Sequence, residues 1–188
     1  QIGVPFVYHD RVHFGEGDRL ITLDIYSGKT LWQYKIEGNA KVGYAATGHQ
    51  GTLFLGPGDG LLYAFSAKTG RVIWKVDRGS DWQYLRQLHL SGEILVAGGY
   101  HDEIFGIRIA DGKVLWRFVA GNFINSHLIK QGKAFFWSPT GWIYALNAEN
   151  GKVLWKHRTT DFQKRSKKRN WAPIMAELVA DEKYLYIL

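Results

Sequence analysis

The side chains able to do chemistry are few in kind and scattered along the chain. The carboxylates that could hold a hard cation or act as a base, Asp81, Glu103, Glu177 and Asp181, stand singly near turn-forming residues. A calcium cage needs several oxygens converging on one point, so each of these reads as a solvated turn residue. His9, His49 and His89 recur at intervals of 40 residues but stand at different offsets from the glycines that follow, so they read as turn residues of a repeat rather than as a metal ring. Asn125 and His127 share one inner-strand segment and are the candidates for side chains facing an internal channel. The densest charge is Lys164-Arg165-Ser166-Lys167-Lys168-Arg169, five cations in six residues, with Trp171 just beyond. Trp82, Tyr84 and Arg86 form a second group, of the residue types that anchor protein interfaces. Lys164, Arg165, Lys167, Lys168, Arg169, Trp171, Trp82, Tyr84 and Arg86 are therefore the candidate partner-binding residues. No Ser-His-Asp arrangement, phosphate loop or paired-carboxylate motif is present.

Composition narrows the chemistry further. The chain has 188 residues, no cysteine, and a formal net charge of +7. A thiol nucleophile, a thiolate metal site and a disulfide are excluded. The positive charge favours anionic partners, an acidic protein among them. No RNA-recognition, helix-turn-helix or zinc pattern accompanies the basic run, so nucleic acid is not the expected partner. The sole methionine is Met175, and no apolar run is long enough to span a bilayer as a helix. Membrane association is expected only through segments outside this chain. Aromatic content of 15% with 22 glycines and 4 prolines suits many short strands joined by tight turns.

The elements that must position these residues follow one repeated pattern. It reads Ser27-Gly28-Lys29-Thr30-Leu31-Trp32, Thr69-Gly70-Arg71-Val72-Ile73-Trp74, Asp111-Gly112-Lys113-Val114-Leu115-Trp116 and Asn150-Gly151-Lys152-Val153-Leu154-Trp155. The tryptophans lie 42, 42 and 39 residues apart. A period near 40 with strand-like content signals propeller blades. Each unit reads as four strands, the third running into the glycine turn and the fourth leaving it. Third strands are expected at Leu20–Asp24, Leu61–Phe65, Ile104–Arg108 and Trp142–Asn147. The less regular first strands are expected at Gly3–Tyr8, Lys41–Ala46, Trp82–Arg86 and Ile124–Leu128. The fold class is therefore an all-β propeller of four-stranded antiparallel blades. About four and a half blades are present, within a full ring of about seven or eight. The single propeller segment 1–188 divides into blades at about 1–38, 39–79, 80–121 and 122–160, with a half-blade at 161–188. An open arc leaves a blade face uncovered, so a longer chain or a completing partner is expected.

The stretches Thr22 to Trp32 and Ala145 to Trp155 resemble the tryptophan-docking repeat of quinoprotein-like propellers. Ala64 to Trp74 is similar with Ser66 in the aspartate position, and Gly106 to Trp116 departs most, with Arg108 there. The resemblance implies that Trp32, Trp74, Trp116 and Trp155, with Gly28, Gly70, Gly112 and Gly151, are structural, each indole packing between neighbouring blades. Two functions follow from it. Pyrroloquinoline-quinone (PQQ) dehydrogenases of this family oxidise alcohols or sugars with quinone, calcium and an aspartate base, and many stack a vicinal cysteine pair on the cofactor; this chain has no cysteine. The chain is also similar to the propeller lipoproteins of the outer-membrane β-barrel assembly machinery, which bind no quinone and present loops to partner proteins. The expectation is the second: a non-catalytic scaffold for protein–protein interaction, periplasmic or extracytoplasmic, with no cofactor, catalytic residue or metal. A fragment of a quinone-dependent dehydrogenase is the alternative, and PQQ and calcium belong only to it.

Overall fold

Strand formation here is dictated by short β-branched and aromatic runs cut by turn residues, and the computed structural model shows strands wherever it assigns regular structure. The described residues are 5–38, 42, 46–57, 60–77, 87–98, 103–121, 124, 127–159 and 178–187. They form two compact units, residues 1–88 and 89–188.

The first unit holds two four-stranded antiparallel blades. β1 (Phe6–Tyr8), β2 (Arg11–Glu16), β3 (Arg19–Asp24) and β4 (Thr30–Lys35) pair in chain order, as do β5 (Thr47–His49), β6 (Thr52–Leu55), β7 (Leu61–Ser66) and β8 (Val72–Asp77). The second unit repeats the plan with β9 (Gln87–Ser91), β10 (Ile94–Gly98), β11 (Glu103–Arg108) and β12 (Val114–Val119), then β13 (His127–Lys130), β14 (Lys133–Ser138), β15 (Trp142–Asn147) and β16 (Val153–Arg158). A two-stranded sheet, β17 (Leu178–Ala180) with β18 (Leu185–Ile187), follows. No helix among the described residues is long and apolar enough to cross a membrane.

Third and fourth strands lie where the repeat places them. Of the expected first strands, Gly3–Tyr8 contains β1 and Ile124–Leu128 overlaps the start of β13, whereas Trp82–Arg86 and most of Lys41–Ala46 lie outside the described residues. The turn into the second strand decides the register. Gln50-Gly51 and Gln131-Gly132 take left-handed φ values of 46°, 79°, 50° and 70°, and Gly92 one of 55°. They fix the first strand immediately upstream. Val42 is instead buried off the sheet, its N–H donating to the Gly17 carbonyl. A Cβ on Gly15 would meet the Val42 carbonyl at 2.0 Å, so only glycine lets Val42 lie on β2.

Each unit's core lies between its blades. In the first, Leu20 and Ile36 of one blade pack with Leu53, Leu55, Tyr63, Phe65 and Ala67 of the next, and Trp32 and Tyr34 lie against them. In the second, Ile94, Val96, Ile104 and Trp116 meet Ala134, Phe136, Leu146 and Ala148. A blade alone has too little surface to bury its apolar face, so the neighbour completes the core.

Candidate functional site

Each blade carries a row of three side chains across its second, third and fourth strands. The rows are His13–Thr22–Trp32, Phe54–Ala64–Trp74, Val96–Gly106–Trp116 and Phe135–Ala145–Trp155. The middle residue is small every time. Rings at the two ends therefore meet over it, 5.8 Å apart for His13 and Trp32, 5.8 Å for Phe54 and Trp74, and 5.9 Å for Phe135 and Trp155. Trp116 lies directly on Gly106, where a Cβ would come within 2.0 Å of its Nε1. A register shift follows the small residue in all four blades and leads into the outer turn.

That turn is built alike in each blade. The first residue's N–H donates to the sixth residue's carbonyl, and its own carbonyl accepts from the glycine N–H. This holds for Asp24 with Lys29 and Gly28, Ser66 with Arg71 and Gly70, Arg108 with Lys113 and Gly112, and Asn147 with Lys152 and Gly151. Asp24 Oδ1 accepts from the Tyr26 and Ser27 N–H groups and the Ser27 hydroxyl. Those bonds, the Ser27 hydroxyl foremost, hold its carboxyl below the usual range. Asn147 Oδ1 accepts from Glu149 and Asn150, and Ser66 Oγ from Thr69. Arg108 breaks the pattern, and Asp111 makes up for it by pairing with the guanidinium and accepting from the Lys113 N–H. Arg108 is the main cause of the fall in the Asp111 pKa to about 2.

The outer turn is also a seat for the preceding blade's indole. Trp32 Nε1 donates to the Ala67 carbonyl at 3.0 Å, and Trp116 Nε1 to the Ala148 carbonyl at 3.1 Å. The indole face lies on the turn glycine. A Cβ on Gly70 would stand 2.5 Å from Trp32 Cε3, and one on Gly151 2.7 Å from Trp116 Cδ2. The glycine thus answers two needs, a φ of 71° at both positions and a flat face for a ring. Trp74 is half-buried on β8, and Trp155 on β16 is 42% exposed against 8% for Trp116.

Most of the other sequence candidates cannot be placed in a site. Lys164, Arg165, Lys167, Lys168, Arg169, Trp171, Trp82, Tyr84, Arg86, Asn125, Asp81 and Glu177 lie outside the described residues. His127 is not presented to solvent: it is 3% exposed, with Nε2 3.1 Å from the Val96 carbonyl and its ring edge-on to His89 at 4.6 Å. Burial, with His89 second, drives its pKa down to about 3, so the imidazole is neutral. Glu103 pairs with Arg117 at 3.3 Å. Asp181 accepts from the Lys183 and Tyr184 N–H groups in the β17–β18 turn. His9 sits in the β1–β2 turn at φ 54°, beside the Tyr8 ring. Among the described residues no three His, Asp or Glu side chains converge on a metal position.

One outward position in each blade was not singled out from the sequence. Leu31, Ile73, Leu115 and Leu154, each just before its tryptophan, are 42–47% exposed on β4, β8, β12 and β16. These are the terminal strands of their sheets, and Lys35, Lys75, Arg117 and Lys156 follow on the same strands. Strand alternation was the available signal, since Trp32 and Tyr34 facing inward turn Leu31, Gln33 and Lys35 outward. An edge strand with an apolar side chain and flanking cations is a surface on which another protein can pack, and its cations discourage indiscriminate strand pairing.

A family model described as outer membrane protein assembly factor BamB matches residues 58–185. The chain is 28% identical to the BamB of Yersinia pestis over 117 residues, 56% of this chain and 30% of that protein. It is 24% identical to the BamB of Nitrosomonas eutropha over 80% of this chain and 36% of that protein. It is also 29% identical to the dehydrogenase subunit of an alcohol dehydrogenase (quinone) from Gluconobacter oxydans, over 85% of this chain and 19% of that protein. The crystal structure of BamB from Moraxella catarrhalis superposes with a TM-score of 0.75 at 21% identity, over 100% of this chain and 53% of that one. The fold is that of a partial β-propeller. The chain spans about a third of the length of the BamB relatives it matches.

Proposed function

Because the chain belongs to the family described as outer membrane protein assembly factor BamB, we propose that it is part of a non-catalytic scaffold which presents its outer strands and loops to protein partners in outer-membrane protein assembly. The observation that carries this reading is the exposed aliphatic residue with a nearby cation on the outer strand of each blade, Leu31 and Ile73 in one unit and Leu115 and Leu154 in the other, with one indole seat joining the two blades within each unit. Apolar anchors on a rigid scaffold suit recognition of another protein. The net charge of +7 suits an acidic partner, and the compartment that fits the family is extracytoplasmic.

The experiment is site-specific photocrosslinking from Leu31 and Leu115 in cells, read by the identity of the trapped protein. Adducts to outer-membrane assembly proteins are expected. A second reading, a segment of a quinone-dependent alcohol dehydrogenase, draws on the likeness to the Gluconobacter oxydans enzyme. Titration with PQQ and calcium separates the two: saturable quinone binding with alcohol-dependent dye reduction overturns the scaffold reading.

A further inference from the structure

Each unit contains one blade boundary, and the two boundaries share a plan but not a charge. At the first, β4 runs on into Ile36 and Glu37, and Glu37 reaches Lys75 of the next blade's β8 at 2.7 Å. Asp77 follows on β8, and its charge adds to the rise that Glu37 gives the Lys75 pKa. The lysine thus has two carboxylates about it. Beside it stand Leu61 and Tyr63, the register partners of Asp77 and Lys75.

The counterparts at the second boundary follow from position relative to the outer tryptophans. Glu37 becomes Gly121, Lys75 and Asp77 become Lys156 and Arg158, and Leu61 and Tyr63 become Trp142 and Tyr144. The lysine is kept, both carboxylates are gone, and one of them is replaced by a second cation. The link from β12 to β13, residues 120–126, contains no acidic residue. Both cations lie over the Trp142 ring, Lys156 Nζ at 4.7 Å and the Arg158 guanidinium carbon at 5.1 Å from its centroid. Arg158 Nη1 also donates to the Thr140 carbonyl at 3.2 Å. Lys156 is exposed and pairs with no carboxylate among the described residues. Glu103 of β11 is taken by Arg117, on the β12 face opposite Phe118. Phe118 meets Tyr144 edge-on at 5.1 Å and walls the boundary from the third blade. Burial raises the Tyr144 pKa and the Arg158 charge opposes the rise, so the phenol stays protonated beside the cations. Leu154, two residues before Lys156 on the same face of β16, is 47% exposed.

We propose that the outer end of the boundary between the third and fourth blades binds a carboxylate from an extended acidic segment of another protein. Lys156 and Arg158 take the Asp or Glu side chain where the first boundary places Glu37, and Leu154 packs an apolar neighbour of it. The first boundary is the template, since it shows a carboxylate meeting the equivalent lysine at ion-pair distance. Both flanking blades are complete four-stranded sheets, so the site is whole within this chain. An aromatic face offsets part of the repulsion between two cations, and a charge-assisted pair with a carboxylate offsets more. The occupant is a protein segment because an apolar anchor lies beside the cations. This inference rests on the scaffold reading for there being a protein partner, and it names that partner's chemistry.

The test is fluorescence anisotropy with a labelled peptide in which glutamates alternate with leucines, set against its glutamine counterpart. The glutamate peptide is expected to bind saturably and to weaken as salt rises. The glutamine peptide is expected to bind about tenfold more weakly or worse. Lys156→Gln, at an exposed position, is expected to weaken the glutamate peptide about tenfold or more. Arg158→Asp, which restores the residue type that β8 carries at Asp77, is expected to do the same. Lys75→Gln removes the same charge elsewhere and is expected to change nothing, since Glu37 already holds that lysine. Circular dichroism checks that each variant keeps its strands. Equal affinity for the two peptides overturns the proposal, and so does an affinity that Lys156→Gln leaves unchanged. A phosphatidylglycerol vesicle or an oligonucleotide that binds through Lys156 where the peptide does not also overturns it. Absence of glutamate-peptide binding sinks this site whether or not Leu31 and Leu115 trap assembly proteins in cells, and those adducts report on the scaffold reading separately.

Discussion

Replacing Gly70 by alanine separates the two demands that the turn glycine meets. The first is conformational: φ is +71°, and a residue with a Cβ held there costs about 1–2 kcal/mol. The second is steric. The new Cβ would stand 2.5 Å from Trp32 Cε3 and 2.6 Å from Cδ2, on a ring tethered by its bond to the Ala67 carbonyl. Overpacking of this kind costs about 1–3 kcal/mol, and loosening the N–H bond adds about 1 kcal/mol. Gly28 is the control. It has φ +67° and the same turn hydrogen bonds, but nothing within 4 Å of the added carbon. Gly28→Ala is therefore expected to lose about 1–2 kcal/mol and Gly70→Ala about 2 kcal/mol more. Both glycines lie in the unit of residues 1–88, so both report on its unfolding. Urea unfolding followed by far-ultraviolet circular dichroism in dilute solution gives the difference from the shift in midpoint at a shared slope. In thermal melts an extra 2 kcal/mol is about 8–16 °C for a unit of this size. Equal losses for the two variants would refute the claim that the glycine serves as the floor of an indole seat.

Trp116→Ala should destabilise by about 3–5 kcal/mol, since it empties a core position. Trp155→Ala should cost under about 1 kcal/mol in dilute solution, where its ring is already wet; chemical unfolding of both compares them. Ser138→Ala should cost about 1–3 kcal/mol in the same assay, because the buried Oγ donates to the Ala120 carbonyl at 2.7 Å and that acceptor would be stranded. Stability should also fall as pH drops from about 6.5 toward 4. Burial lowers the His13 pKa to about 4 and that of His127 to about 3, so the unfolded chain binds protons in that window and the folded chain does not. His127→Gln should flatten the slope, as read from unfolding midpoints across pH, and an unchanged slope would contradict a neutral buried imidazole.

The repeat was legible because its glycine and tryptophan fall at constant separation, which fixes the third and fourth strands and the turn between them. The second duty of the glycine was not legible. Gly70 meets Trp32 across the blade boundary, and no local pattern reports a contact between residues so far apart in sequence. The turn into the second strand was not legible for a related reason: the left-handed pair Gln50-Gly51, which decides which residues face β6, carries no apolar signal. Arg108 looked like a defect in the repeat; its remedy, Asp111, is visible only once the turn brings the two side chains together. His127 shows the limit for site residues. A histidine on an inner strand suits a channel or a core equally well on paper, and the Val96 carbonyl with the His89 ring makes this one a core residue. The exposed position before each tryptophan, from Leu31 to Leu154, was readable from strand alternation, but an aliphatic residue next to a tryptophan draws the eye to the core.

Indole N–H exchange, resolved by nitrogen-15 spectra of tryptophan-labelled protein at low concentration, probes the blade-to-blade seat itself. The N–H groups of Trp32 and Trp116, bonded to Ala67 and Ala148, are expected to exchange slowly, and that of Trp155 quickly. A Trp116 that exchanges as fast as Trp155 would contradict the seating of one blade's indole on the next blade's turn.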